Sequence, residues 1–349
     1  MKNKILATAV AATFLLAGCG APQDQGAAAA AAANQKVSNL DSLIESAKKE
    51  GSLLIYTSLT EPDMKAMTAG FTEKYGIQVQ ALRLGGNDAA TRFDTETSAN
   101  APSADLLVLA DPLYVGDLTS SGKAVKMEDT GLYDLLDTIP KHLKAPEIGT
   151  AVVQIVNAGI AYNTNSVKPE DVPKSWEDLL DPKWKGKLIN TPVDSSVNNL
   201  VMWGQLYDKY GADYVKKMGA QTSRTYPNLV PLHEALAAGD GEIALQSGQF
   251  YVEGLKKAGK PVGFANLSPS VYPVNVLGIS ARAKNPYTAR LFSYYLMTKE
   301  GGKTITNPAT GSYSAWDEDK IPADFKIVTK EQKDRYNGMK KEIMDAYGK

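Results

Sequence analysis

"LLIYTS" at residues 53–58, "IQVQALRL" at 77–84 and "ADLLVLAD" at 104–111 are three short apolar runs with two helical patterns between them, and their order decides the fold. Thr60, Glu61 and Pro62 open the first helix, whose stripe of Met64, Met67 and Phe71 closes near Gly76. Gly85, Gly86, Asn87 and Asp88 lead into the second, with Ala90, Phe93 and Thr97 on one face. Strand–helix–strand–helix–strand over so short a span implies parallel pairing and right-handed crossovers. A helix ahead of them, with Leu40, Leu43, Ile44 and Ala47 at helical spacing and Gly51 as its stop, puts the start of folded structure near Ser38.

Downstream, "TAVVQIVNAGIAYNT" (150–164) is long and β-forming and reads as a strand leaving one lobe for the next. "KLIN" (187–190) is a strand that runs into Thr191, Pro192, Val193, Asp194, Ser195 and Ser196, which cap a helix with Val197, Leu200, Val201 and Trp203 inside. "GEIALQSG" (241–248) and "YPVNVLGISA" (272–281) are further strands, the second returning to the first lobe. Ala289, Phe292, Tyr295 and Leu296 repeat at helical spacing near the C-terminus.

A chain of 349 residues exceeds what one compact core usually holds, which makes two lobes the default. The formal net charge of −1 excludes the broad basic field of a nucleic-acid binder. At the N-terminus, Lys2 and Lys4 precede an apolar run from Ile5 to Leu16, a secretory signal too short to span a bilayer. It ends Leu16-Ala17-Gly18-Cys19, which resembles the lipobox of bacterial lipoproteins, where the cysteine is acylated. Cys19 is the only cysteine, so disulfides are excluded. Residues 20–36, with alanines at 27–33, read as a tether to a membrane anchor. The organisation expected is a signal at 1–18, lipidated Cys19 and tether at 19–37, lobe 1 at 38–155, lobe 2 at 156–276, and a return to lobe 1 with C-terminal helices at 277–349.

In open α/β sheets, ligands bind beyond the carboxyl ends of strands, beside helix N-termini that suit anions. Four such edges stand out: Thr57 to Thr60, Gly85 to Asp88, Asp194 to Ser196, and Gln246 to Tyr251. Each alone is explained by ordinary helix capping; their recurrence points to a cleft. There is no GxSxG elbow, no HExxH pair and no P-loop, and His142 and His233 read as solvated loop and helix-start residues, so nothing argues for an enzyme.

"VPKSWEDLLDPKWKGKL" (172–188) resembles the signature segment of the substrate-binding proteins of ferric-iron and related ABC importers, the type-II periplasmic binding proteins. The likeness extends through 51–80, "SADLLVLADP" (103–112), "GIAYNTNSV" (159–167) and "NPYTARLFSYYLMTKEGG" (285–302). It implies two α/β lobes, each a mostly parallel sheet, with strand crossovers as hinge. It also implies a ligand in the cleft and delivery to a membrane permease driven by an ATPase. A monomer anchored by lipid outside the cytoplasmic membrane, without a cofactor, is the expected form.

Iron-binding members resemble one another in a His or Tyr after the first strand, an acid after the third and a tandem Tyr-Tyr in lobe two. Here the first position is Leu59-Thr60 and the tandem is Phe250-Tyr251; Tyr294-Tyr295 lies on a helix whose buried stripe includes Tyr295. A ferric site would have Asp111 and Tyr251, completed by Tyr226 or an anion. The departures favour a small organic anion or zwitterion such as a phosphonate, sugar phosphate or carboxylate. Thr57, Ser58, Thr60, Asn87, Ser195 and Ser196 would then hold the anionic group, with Arg83 or Arg224 as a cationic partner. Gln246, Gln249, Tyr226, Tyr251 and Tyr272 would line lobe two, and Asp111 and Asp194 suit a ligand amine. Ferric-iron uptake and a ligand-presenting sensor are the alternatives.

Overall fold

A computed structural model describes residues 35–348, so the leader, Cys19 and most of the expected tether lie outside the described residues. The last tether residues belong to the body instead. Val37 is buried in the first core with its amide on the Thr130 carbonyl, and Lys36 pairs with Asp134.

Local chemistry sets the first elements as the spacing predicts. Asn39 caps the helix Leu40–Glu50 by accepting from the Ser42 amide at 2.9 Å, and Gly51 ends it at φ 75°. β1 (Ser52–Thr57) leads to the helix Glu61–Tyr75, capped by Thr60 and ended at Gly76. β2 (Gln78–Arg83), the helix Gly86–Ser98, β3 (Leu106–Leu109) and the helix Pro112–Ser120 follow. Next come β4 (Lys144–Ala145) and β5 (Thr150–Val156), then, across Asn157, β6 (Ala158–Asn163). β7 (Leu188–Asn190), the helices Val197–Tyr210 and Ala212–Gln221, β8 (Thr222–Thr225) and the helix Leu229–Ala238 precede β9 (Ile243–Gly248). The helix Gln249–Lys257, β10 (Val262–Ala265), β11 (Val274–Ile279), the helices Pro286–Met297 and Lys299–Thr304, β12 (Ser312–Ser314) and the helix Lys330–Tyr347 complete the chain.

Two sheets result. The first has the order β12-β5-β11-β3-β1-β2 with β4 beside β5, and the second the order β10-β6-β9-β7-β8. In the first, β1, β2, β3 and β5 run one way, against β11, β12 and β4. In the second, β7, β8, β9 and β10 run together and β6 opposes them. The chain crosses between sheets at Asn157 and again over residues 266–273.

Each lobe has its own core. In the first, Phe71 meets Phe292 and Tyr75 with ring centroids 4.7 and 5.0 Å apart, and Tyr295 joins them from the same helix as Phe292. Burying an aromatic of that size contributes about 2–3 kcal/mol. In the second, Trp176 and Trp203 are fully buried, and the Trp176 indole donates to the Pro269 carbonyl at 2.7 Å. That bond ties the 172–188 segment to the second crossover.

Two expectations give way. Val197 is 38% exposed, because it is the first residue after the Ser196 cap and the buried face starts at Asn199 and Leu200. The last helix, expected with the return to lobe 1, packs on the lobe-2 helices Val197–Tyr210 and Ala212–Gln221. Arg335 reaches Asp208 through both terminal nitrogens, at 2.5 and 2.7 Å, and Tyr347 bonds Thr222 and Asn190. Residues 321–328 therefore form a third connection: Ile321 and Ile327 pack in a lobe-1 cluster and Val328 in the lobe-2 core.

Candidate functional site

The strand registers fix which edges face each other. β5 ends at Val156, one residue from β6, whose first residue Ala158 pairs with Gly248 at the carboxyl end of β9. β10 ends at Ala265, and after the crossover Val274 pairs with Ile155 near the end of β5. The carboxyl ends of the parallel strands of both sheets thus meet along the crossovers. The helices after β1, β2 and β3 start from the same edge of lobe 1, and those after β7, β8 and β9 from the opposing edge of lobe 2. Four of these helix starts carry a side-chain cap, from Thr60, Asp111, Ser196 and Asn228; those behind Gly85 and Gly248 have none among the described residues. The first-turn amides behind Gly85, and those behind Gly248 apart from the Gln249 amide, which goes to the Asn157 carbonyl, have no hydrogen-bond acceptor among the described residues, one set in each lobe.

The lobe-1 wall is built on a hydrogen-bonded chain. Ser58 accepts from the Ala110 amide at 2.8 Å and contacts Asn275 Oδ1 at 3.3 Å. Asn275 Nδ2 donates to Gln154 Oε1 at 2.8 Å, and Gln154 Nε2 reaches the Ile305 carbonyl at 2.6 Å and Asp63 Oδ2 at 3.3 Å. Asp63, Gln154 and Asn275 are buried, and burial pushes the Asp63 carboxyl above its ordinary range. Asp111, beside Ala110, uses Oδ1 to cap its helix through the Tyr114 amide at 3.0 Å. At the lip, Arg83 donates Nε to the Leu59 carbonyl at 2.8 Å, and its terminal nitrogens make no hydrogen bond to the described residues.

On the lobe-2 side, Asn157 Nδ2 donates to Gln249 Oε1 at 3.1 Å, while the Asn157 carbonyl takes the Gln249 amide and its own amide goes to the Gly311 carbonyl. Gly311, at φ 67°, lies so close that a Cβ there would fall 2.3 Å from Gln249 Oε1. Tyr251 is half-buried, stacked on His233 with centroids 5.0 Å apart and against Phe250 at 4.0 Å; burial raises its pKa. His233 is 3% exposed, contrary to the solvated reading, because its ring bonds Ser247 Oγ and the Leu229 carbonyl, both at 2.6 Å; burial depresses its pKa.

The sequence candidates divide accordingly. Ser58, Thr60, Asn87, Asp111, Gln249 and Tyr251 follow the facing strand ends, Thr60 and Asp111 as helix caps, while Gln246 lies inside β9. Thr57 is fully buried, and its hydroxyl donates to the Val108 carbonyl at 3.0 Å. Ser195 and Ser196 sit at the β7 edge, but Ser195 bonds Thr191 and Asn199, and Ser196 caps its helix. Asp194 is held by Lys340 of the last helix at 2.5 Å, which lowers its pKa. The Tyr226 hydroxyl donates to Asp240 at 3.0 Å, and Arg224 faces the same carboxylate. Tyr272 is buried with its hydroxyl on Asp324, a packing residue of the crossover. His142 is not an open loop residue; it meets Phe325 edge-on and lines a cavity of about 440 Å³ away from the cleft. Sequence reading missed Asn157, Gln154 and Asn275, polar residues inside apolar strands or between them.

Residues 101–245 match the family model for bacterial extracellular solute-binding proteins. A stretch of 141 residues is 30% identical to iron uptake protein A1 of Synechocystis, covering 39% of this chain and about a third (36%) of that protein. A Salmonella typhimurium periplasmic protein, assigned provisionally to 2-aminoethylphosphonate binding, is 25% identical over 246 residues, 67% of this chain and 65% of the other. The solved Trichodesmium protein in complex with iron and citrate superposes with a TM-score of 0.64 at 23% identity, over 85% of this chain and 99% of that one.

Proposed function

Taking the chain as a type-II periplasmic solute-binding protein of the ABC-importer kind, similar to the ferric-binding proteins, we propose that its cargo is a small organic anion or zwitterion of the phosphonate, sugar-phosphate or carboxylate class. The observation that carries this reading is the pair of helix starts without side-chain caps, behind Gly85 and Gly248, one on each side of the cleft. Open amides and the positive end of a helix suit an anionic group, and an anion bridging the two draws the lobes together. Arg83 at the lip adds a guanidinium whose terminal nitrogens are open for a charge-assisted bond. The likeness to a protein assigned to an aminophosphonate supports the same class. Lipid anchoring through Cys19 outside the cytoplasmic membrane, a monomeric state, delivery to a permease and its ATPase, and a role in binding rather than catalysis complete the proposal.

Ferric iron is the second reading, favoured by the iron-named relatives and by Tyr251, whose hydroxyl has no hydrogen bond among the described residues. It is weakened at Tyr226, whose hydroxyl is engaged by Asp240. A thermal-shift panel of phosphonates, sugar phosphates, dicarboxylates and ferric citrate decides. A ligand at about 100 times its dissociation constant adds roughly 2.7 kcal/mol, a readable shift. A shift with an organic anion and none with iron is expected. A shift with iron alone, with the visible colour of a tyrosinate complex, overturns the proposal.

A further inference from the structure

The chain of bonds behind Ser58 has donor and acceptor roles that chemistry leaves no freedom to reverse. The Ile305 carbonyl and the Asp63 carboxylate are acceptors, so the Gln154 group facing both is its NH2. The Gln154 oxygen therefore takes the Asn275 NH2, which turns the Asn275 oxygen toward Ser58. The Ala110 amide can only donate, so Ser58 accepts from it, and the single Ser58 proton goes to Asn275 Oδ1. What Ser58 has left is a lone pair. Giving its proton to a ligand would leave the buried Asn275 oxygen without a donor. Asp111, the residue after the Ala110 whose amide Ser58 holds, has one carboxylate oxygen on the Tyr114 amide and the other without a hydrogen bond among the described residues.

We propose that Ser58 and Asp111 form an acceptor-only subsite on the lobe-1 wall that takes the ammonium group of a zwitterionic ligand. The proposal rests on the organic-solute reading above and narrows it: the anionic end meets the open helix starts, and the ammonium meets Ser58 and Asp111. It also reverses the role expected of Ser58 from the sequence, where it was a donor to the anion. Asp63, five residues further on and out of the cleft, sets this polarity through Gln154 and Asn275.

The test is calorimetric titration with matched pairs: 2-aminoethylphosphonate against propylphosphonate, and β-alanine against butyrate, each pair differing by ammonium for methyl. The ammonium member of a pair should bind about tenfold tighter or more, as a charge-assisted bond implies. Asp111→Asn keeps the helix cap, since Asn caps as well as Asp, and should abolish most of that preference. Ser58→Ala should reduce the preference in the same direction. Equal affinity within a pair overturns the subsite and leaves the anion reading intact, as does an Asp111→Asn variant that weakens both members alike. No binding in either pair overturns the subsite, while the organic-anion reading is decided separately by the thermal-shift panel.

Discussion

Gln154→Leu is the perturbation that most directly tests whether the lobe-1 wall is held as described. The substitution nearly conserves volume but removes the amide that serves three buried groups: Asp63 Oδ2, the Ile305 carbonyl and Asn275 Nδ2. A buried polar group left without its partner costs about 1–3 kcal/mol, and partial relaxation with added apolar burial recovers some of it, so a loss of about 3–5 kcal/mol follows. The loss must also depend on pH. Asp63 already has a folded-state pKa above its ordinary value, burial being the largest cause, and the Gln154 bond restrains that rise. Without Gln154 the folded pKa rises further above the unfolded one. A carboxyl shifted upward favours folding in its protonated form, a contribution present below the unfolded pKa and lost as pH rises through the folded pKa. The variant's deficit against wild type should therefore be largest near neutral pH and shrink as acid protonates Asp63. Urea unfolding of both proteins at about pH 7 and about pH 4.5 measures it. A deficit below about 1 kcal/mol, or one of equal size at both pH values, would refute the buried chain of bonds.

Three further substitutions probe other parts of the molecule. Tyr226→Phe removes a hydroxyl that faces Asp240 at the surface, so it should cost less than about 1 kcal/mol and leave the affinity for every ligand, ferric citrate included, unchanged in titration. Gly204→Ala places a Cβ 2.2 Å from the Tyr336 ring; the overpacking, about 1–3 kcal/mol, should loosen the last helix and appear as accelerated proteolysis within residues 330–347. Gly311→Ala combines a left-handed φ of 67° with a Cβ against Gln249, a strain of about 1–2 kcal/mol at the first crossover, and small-angle scattering should show a more open pair of lobes.

What the sequence made legible was what local chemistry determines. Thr60 and Gly76, or Asn39 and Gly51, bracket their helices through bonds to residues three or four positions away, and such signals survive in any reading of the chain. The three apolar runs at 53–58, 77–84 and 104–111 became neighbouring parallel strands because their period and spacing admit little else. Short strands with mixed composition, β8, β10 and β12, carried no such period and owe their state to the partner strand already in place. The cleft was legible as an edge and not as a set of contacts. Ser58 and Asp111 stood out as polar residues after strands, but the polarity of Ser58 is set by Asn275, 217 positions away, and by Gln154, both of which read as ordinary members of apolar strands. Asp194 and Tyr226 were drawn out of the candidate set in the same way, the first by a lysine on the last helix and the second by Asp240. A small polar residue at a strand end shows where a ligand can sit; only the partners that fold around it decide whether it offers a proton or takes one.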